Sequence, residues 1–244
     1  KYSCAVQLNL IMTEKNQHEP LPQELTQEEI HRIIKNKVHR IDKEFTSGFE
    51  FIKNYEKSVT FFGSARFTED NPHYQKARQL AQKISALGYT ILTGGGGGIM
   101  EAANRGAFES GGQSVGLNIR LAKSQGLNHY TNDSMQFDYF FARKVALSFA
   151  AEAYLFFPGG FGTFDELFEI LTLVQTRKIR KIPIILVGYD FWCDMHKFVK
   201  DVMYDRHKTI NPEDMDLYNI TDDENEILEI IKKVPVRPMI QKKT

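Results

Sequence analysis

Apolar positions along the chain recur with two different periods. Over residues 26–41 the spacing is helical: Thr-Gln-Glu-Glu at 26–29 forms a capping-box signature, with Thr26 as N-cap and Glu29 at N3. Ile30, Ile33, Ile34, Val38 and Ile41 then follow at intervals of three and four. A second short helix is expected over about 47–55, carrying Phe49, Phe51 and Ile52. From Ser58 onward short β-rich runs alternate with helical ones. Strands are expected over 59–62, 89–93, 114–119, 154–157 and 182–187, and helices over 72–87, 99–109, 140–151, 164–176, 191–204 and 224–233. Gly88 closes the first of these helices as a C′ residue, and Gly111-Gly112 ends the second. This alternation implies βαβ units and an α/β fold, a doubly wound parallel sheet covered on both faces, with an N-terminal helical extension. The extension is expected to occupy residues 1–57, its first 23 polar and loosely ordered around Pro20 and Pro22, and the sheet domain residues 58–244.

Composition narrows the class of function. The chain has 244 residues, and its 31 Lys+Arg balance 31 Asp+Glu for a formal charge of zero. Nucleic-acid binders draw affinity from a cationic surplus, so no nucleic-acid partner is expected. With 42% hydrophobic and 25% charged residues the chain reads as globular. No apolar run approaches the roughly 20 residues of a bilayer span, so no membrane partner is expected. Residues 1–9 lack the apolar segment and cleavage pattern of a secretory leader. Two isolated cysteines, Cys4 and Cys193, fit a reducing compartment better than a disulfide scaffold, and a cytoplasmic location is expected. The seven histidines show neither His-Glu-x-x-His nor a Cys/His ligand spacing, so no metal site is expected.

Candidate chemistry concentrates at strand ends, where an open parallel sheet forms its ligand crevice. One strand leads into Gly63-Ser64-Ala65-Arg66, a second into Gly94 to Gly98 followed by Ile99-Met100-Glu101, and a third into Pro158-Gly159-Gly160-Phe161-Gly162-Thr163. A glycine loop running into a helix offers free N–H groups and the positive end of the helix dipole, a good seat for phosphate. Two such loops at what are expected to be adjacent strand ends point to a phosphorylated ligand. A dinucleotide fingerprint fails, because Ile99 stands at its third glycine and Asn118 and Arg120 stand where an acidic residue is required. A Gly-Lys-Ser/Thr phosphate loop is absent. Both NAD binding and ATP hydrolysis are therefore disfavoured, and no cofactor is expected.

The composite of three stretches resembles the LOG family, whose members often carry the label "possible lysine decarboxylase". These are T-G-G-G-G-G-I-M-E-A-A-N-R-G-A at 93–107, F-F-A-R-K at 140–144 and P-G-G-F-G-T-F-D-E at 158–166. The last keeps the family signature P-G-G-x-G-T-x-x-E throughout. The first looks like the bacterial T-G-G-G-P-G-I-M-E version with Gly97 in place of proline. The second keeps Arg143 and Lys144, with Phe140 and Phe141 where the plant-type pattern has Met and His.

The resemblance implies a Rossmann-like homodimer. It also implies a phosphoribohydrolase that cleaves the N-glycosidic bond of a nucleoside 5′-monophosphate, AMP or a cytokinin riboside monophosphate, to free base and ribose 5-phosphate. Arg143 and Glu166 would be catalytic. Ser64, Gly95, Gly96, Met100, Lys144, Gly159, Gly160, Gly162 and Thr163 would contact substrate. Other readings stand beside these. Thr163-Phe164-Asp165-Glu166 is itself a capping-box pattern in which Glu166 at N3 closes on the N-cap backbone. Arg143 has a second reading as a snorkelling or surface-paired arginine, Met100 as core, and the basic run 177–181 as a solvated helix end. At the level of function the rival is a non-enzymatic carrier of a nucleotide or a molybdenum-cofactor-type pterin. A scaffold acting through the N-terminal arm leaves the glycine loops unexplained. The decarboxylase label requires a Schiff-base lysine with a pyridinium partner, and no lysine stands in that context.

Overall fold

The structure, a computed structural model, describes residues 26–121 and 126–235. The polar lead-in over 1–23, and Cys4 within it, lie outside the described residues. The N-terminal helix α1 (Gln27–Ile52) begins at the expected capping box: Thr26 Oγ1 accepts the Glu29 N–H at 3.2 Å, and a Glu29 oxygen accepts the Thr26 N–H at 2.9 Å. The two helices expected here are one. Ile41 is followed by Phe45, Gly48, Phe49 and Ile52, which continue the same stripe. Gly48 does not break the helix; it lets it approach Phe137 and Ala146, since a Cβ there would stand 3.1 Å from the Phe137 ring.

Among the described residues seven parallel strands form one sheet in the order β4-β3-β2-β1-β5-β6-β7. They are β1 (Ser58–Phe62), β2 (Thr90–Thr93), β3 (Ser114–Ile119), β4 (Asp133–Phe137), β5 (Ala153–Phe156), β6 (Ile184–Leu186) and β7 (Asn219–Ile220). Helices α2 (Pro72–Ala86), α3 (Ile99–Glu109), α4 (Phe140–Ala150), α5 (Phe161–Gln175) and α6 (Tyr189–Phe198) lie in the crossovers, and α7 (Glu224–Lys232) follows the last strand. From α6 the chain runs on through a π-helical segment (Val199–Arg206), so the single helix expected over 191–204 starts earlier and changes its winding.

β1, β3 and β5 are buried along their whole length, as strands of a parallel sheet covered on both faces are. Val59, Phe61, Ile91 and Leu155 face α2, α3 and α7 through Leu80, Ile84, Ile99 and Ile227. Phe62, Leu92, Tyr154 and Phe156 face the other layer through Leu147, Leu167, Ile170 and Trp192. Burial on both faces is the doubly wound arrangement expected from the alternation. α1 lies outside α4, against α4 and β4.

The chain moves outward from β1 to β4 and then returns to place β5 on the other side of β1. That reversal makes the β1–β5 boundary the crevice position of this fold. It also corrects one expectation: the two glycine loops do not follow adjacent strands. They follow β2 and β5, and the end of β1 lies between them.

Candidate functional site

Three strand ends are stitched together at this boundary. Ser64, just beyond β1, donates its N–H to the Pro158 carbonyl at 3.0 Å, and its own carbonyl accepts the Ile99 N–H at 2.9 Å. The first bond ties β1 to the loop after β5 and the second ties it to the start of α3. Glycine is required on both sides of this stitch. Gly98 has φ of 66°, and a Cβ there would stand 2.2 Å from the Ser64 carbonyl oxygen. At Gly159 a Cβ would meet Thr163 Oγ1 at 2.1 Å and the Ser64 nitrogen at 3.1 Å.

The stitched strand ends form the floor of a cleft of about 1280 Å³. Ser64, Met100, Arg143, Gly159, Gly160, Gly162, Thr163 and Glu166 all line it. α5 starts here with Gly160 as its N-cap, so the glycine loop delivers the helix N-terminus to the cleft. The first N–H groups of a helix have no acceptor within it, and they carry the positive end of its dipole. Positions 160 and 162 have open space where a side chain would stand.

Glu166 lies one turn further into α5. The structure overturns its capping-box reading. α5 begins at Phe161 rather than Phe164, which puts Thr163 inside the first turn and Glu166 beyond the capping position. The Thr163 N–H bonds to the Gly160 carbonyl at 3.0 Å, and no side chain caps this helix. Glu166 instead faces Arg143 of α4 across the cleft wall, with Arg143 Nη2 3.7 Å from Glu166 Oε1. Both side chains are almost wholly buried, so Arg143 is not a snorkelling surface residue. Arg143 Nε and Glu166 Oε2 are buried and have no hydrogen-bond partner among the described residues. Burial pushes the Glu166 carboxyl up to about 7, against the opposing pull of Arg143 and Lys144. Burial also pulls Arg143 below its usual value while Glu166 pulls the other way, and a guanidinium stays charged through such a shift.

The guanidinium is held from two further sides. It lies 5.6 Å from the centre of the Phe140 ring, a cation–π distance. It also presses on the backbone of Gly94, where a Cβ would stand 3.0 Å from Nη1 and 2.8 Å from Met100 Sδ. Gly94 is therefore the member of the five-glycine run that reaches the cleft.

Gly95 and Gly96 are buried and do not line the cleft. The Gly95 N–H donates to Thr93 Oγ1 at 2.8 Å, its carbonyl accepts the Asn128 N–H at 2.8 Å, and the Gly96 carbonyl accepts from Asn128 Nδ2 at 3.0 Å. These two glycines turn towards an Asn104–Asn128 network that braces the loop. Lys144 also stands apart from the cleft. Its ammonium bridges Asp165 at 2.8 Å and Glu169 at 2.9 Å on the outer side of α5. The basic run after α5 is largely exposed, as expected of a helix end.

One wall escaped the sequence reading. Phe191, Met195 and Phe198 of α6 line the cleft opposite α4, together with Asp190 and Asp194. Their signal was available: α6 follows β6, whose carboxyl end also faces the crevice, and the three apolar positions share one helical stripe.

Comparison with known proteins places this site in a family. The model of the family described as "Possible lysine decarboxylase" matches residues 100–231. A cytokinin riboside 5′-monophosphate phosphoribohydrolase of Rhodococcoides fascians is 31% identical over 153 residues, covering 59% of this chain and 74% of its own length. A probable enzyme of the same name from Oryza sativa subsp. japonica is 30% identical over 125 residues, half of this chain and half of the rice protein. Among solved structures, the molybdenum cofactor carrier protein of Chlamydomonas reinhardtii aligns with a TM-score of 0.55 at 21% identity, over 73% of this chain and 98% of that one. At that identity the likeness speaks for the fold alone. With more than half of its length inside the family model, the chain belongs to the LOG family of "possible lysine decarboxylase" proteins.

Proposed function

We propose that the chain is a phosphoribohydrolase acting on a nucleoside 5′-monophosphate, AMP or a cytokinin riboside monophosphate, and that it works as a homodimer. The observation that carries this reading is the buried Arg143–Glu166 pair in a cleft that also receives the N-terminus of α5. A 5′-phosphate has a seat on the N–H groups of Gly160 to Gly162 and the nearby Thr163 hydroxyl, where the helix dipole favours an anion. Glu166, one turn along, then faces the sugar. Breaking the bond from the anomeric carbon to the base nitrogen leaves an oxocarbenium-like sugar, which an ionised carboxylate stabilises. The base leaves with the bonding electron pair and takes up a proton from solvent at its ring nitrogen; water adds to the anomeric carbon and gives up a proton to Glu166, which returns it to solvent, so that the protons balance. Arg143 supports the electron-rich leaving base and holds Glu166 in its buried position.

The decarboxylase description fits these residues poorly. Among the described residues no lysine lines the cleft. Burial pulls the pKa of nearby Lys144 down, but Asp165 and Glu169 together outweigh it and raise the value, whereas Schiff-base chemistry needs a neutral amine.

A panel of nucleotides analysed for released base tests the proposal. AMP and the isopentenyladenosine monophosphate are expected to yield free base and ribose 5-phosphate. Adenosine should react far more slowly, because without a phosphate the ligand forfeits the charge-assisted hydrogen bonds and the helix-dipole attraction that the start of α5 offers. Equal turnover of adenosine and AMP would reject the phosphate seat. Tight binding of monophosphates without release of base would turn the assignment to the carrier reading.

A further inference from the structure

The N-terminal arm touches the helix that carries Arg143 at one chemically specific point. α4 begins at Tyr139 with no side-chain cap from its own flanking sequence and no acidic residue in its first turn. The carboxylate that serves this helix start comes from α1, some 95 residues earlier. Glu44 accepts the Asp138 N–H at 3.0 Å through one oxygen and the Tyr139 N–H at 2.9 Å through the other. A carboxylate at a helix N-terminus satisfies donors that the helix cannot, and it complements the dipole.

The contact continues along both helices. Phe45 packs on Phe141 with ring centres 6.0 Å apart, Gly48 sits against Ala146, and Phe49 meets Phe149 edge-on at 5.5 Å. Arg40 lies 3.7 Å from the Asp138 carboxylate and over the Tyr139 ring. The arm thus holds α4 from its first residue to its last turn, and Glu44 fixes the end nearest the cleft. That end matters because Phe140, whose ring lies against the Arg143 guanidinium, is the first residue of α4. The Arg143 N–H closes the first turn on the Tyr139 carbonyl at 3.2 Å. Fraying of this turn would move Phe140 and Arg143 together and leave Glu166 without its partner.

We infer that Glu44 is a positioning residue for Arg143, so that the N-terminal arm is a working part of the site; the inference rests on the hydrolase reading above. Glu44 touches no substrate position and acts through the first turn of α4. The phosphate cradle at the start of α5 receives nothing from α1, so ground-state binding is expected to survive when Glu44 is removed.

The test measures AMP hydrolysis and amide hydrogen exchange on wild type, Glu44→Ala, Glu44→Gln and the control Glu50→Ala. Glu50 is on the same helix, where it pairs with Lys53. Glu44→Ala should lower kcat by about tenfold to a hundredfold, the scale of a small misplacement of a catalytic group, with KM nearly unchanged. Glu44→Gln retains one acceptor oxygen and should recover part of the rate, and Glu50→Ala should behave as wild type. Exchange over 138–144 should quicken in Glu44→Ala while that of α5 stays put. An unchanged kcat in Glu44→Ala, or a loss seen wholly in KM, overturns the inference even if exchange quickens. If wild type hydrolyses no monophosphate, the hydrolase reading fails on its own. The exchange data then decide the clamp: quickening confined to 138–144 keeps it, and unchanged exchange rejects it.

Discussion

Glu166 is the residue at which stability and chemistry oppose each other. Its carboxyl is buried beside a single guanidinium at 3.7 Å, too long for a close hydrogen bond, and its pKa stands at about 7 instead of 4.5. The folded state therefore binds a proton between pH 4.5 and 7 that the unfolded chain has released, and folding stability falls as pH rises through that window. At about 1.4 kcal/mol per unit the ionised form costs on the order of 3 kcal/mol above pH 7. Gln mimics the protonated form, so Glu166→Gln should melt higher than wild type at pH 8 and at the same temperature at pH 4. The same substitution removes the charge that the proposed mechanism sets against the oxocarbenium-like state, and on that reading should lower turnover by about a hundredfold or more. Wild-type kcat/KM should correspondingly fall below about pH 7 as Glu166 takes up its proton. A Glu166→Gln protein that keeps its rate would remove Glu166 from the chemistry. One that melts lower at pH 8 would show that its negative charge supports the fold.

At the scale of elements, the loops around β1 show which parts of the site were legible in the sequence. Glycine runs after strands marked the crevice because only glycine tolerates such close backbone approach. What each glycine does was not legible, since it depends on which neighbours the topology supplies. Gly94 and Gly98 face Arg143 and the Ser64 carbonyl, while Gly95 and Gly96 turn into the Asn128 network. The start of α5 was misread for a related reason: Thr163 and Glu166 have capping-box spacing, but the helix takes Gly160 as its N-cap, two residues before Gly162. β4 was missed because it is an edge strand, Asp133–Phe137, whose polar residues are largely exposed and give no apolar run. The glycine roles can be separated by substitution. Gly98→Ala puts a Cβ 2.2 Å from a backbone oxygen at a φ of 66°, and should cost at least about 2 kcal/mol and most of the activity. Gly97→Ala meets only the Ala65 oxygen at 3.5 Å with no positive φ, and should be neutral or stabilise by up to about 1 kcal/mol. Equal effects in denaturant titrations of the two variants would contradict this division of labour.

For the whole molecule, the sheet order β4-β3-β2-β1-β5-β6-β7 puts α4 and α5 side by side over the crevice, and their outer surface decides the assembly. The sequence of α5 is apolar nearly all round. Leu167, Ile170, Leu171 and Val174 are buried against the sheet, while Phe168 remains exposed on the outer side and Phe161, at the helix start, is 97% exposed. Phe161, Phe164, Phe168 and Leu173 line a shallow depression of about 560 Å³ there. Of the described N-terminal residues, α1 packs on α4 and β4 rather than on this surface. On α4, Phe140, Phe141 and Phe149 add further exposed aromatic area, and on α1 Ile34 and Val38 do the same. Exposed aromatic and aliphatic side chains on a chain with zero net charge favour self-association, and a twofold contact is the commonest way to bury them. The chain is therefore expected to be a dimer at micromolar concentration by light scattering. Phe168→Asp places a charge in the depression, on a residue that also borders the main cleft, so the variant is read by oligomeric state rather than by activity; it should shift the protein to monomer without destabilising the monomeric fold by more than about 1 kcal/mol. A wild-type monomer at that concentration would assign the outer face of α5 to a different partner, and a Phe168→Asp protein that stays dimeric would move the interface to α1 or α4.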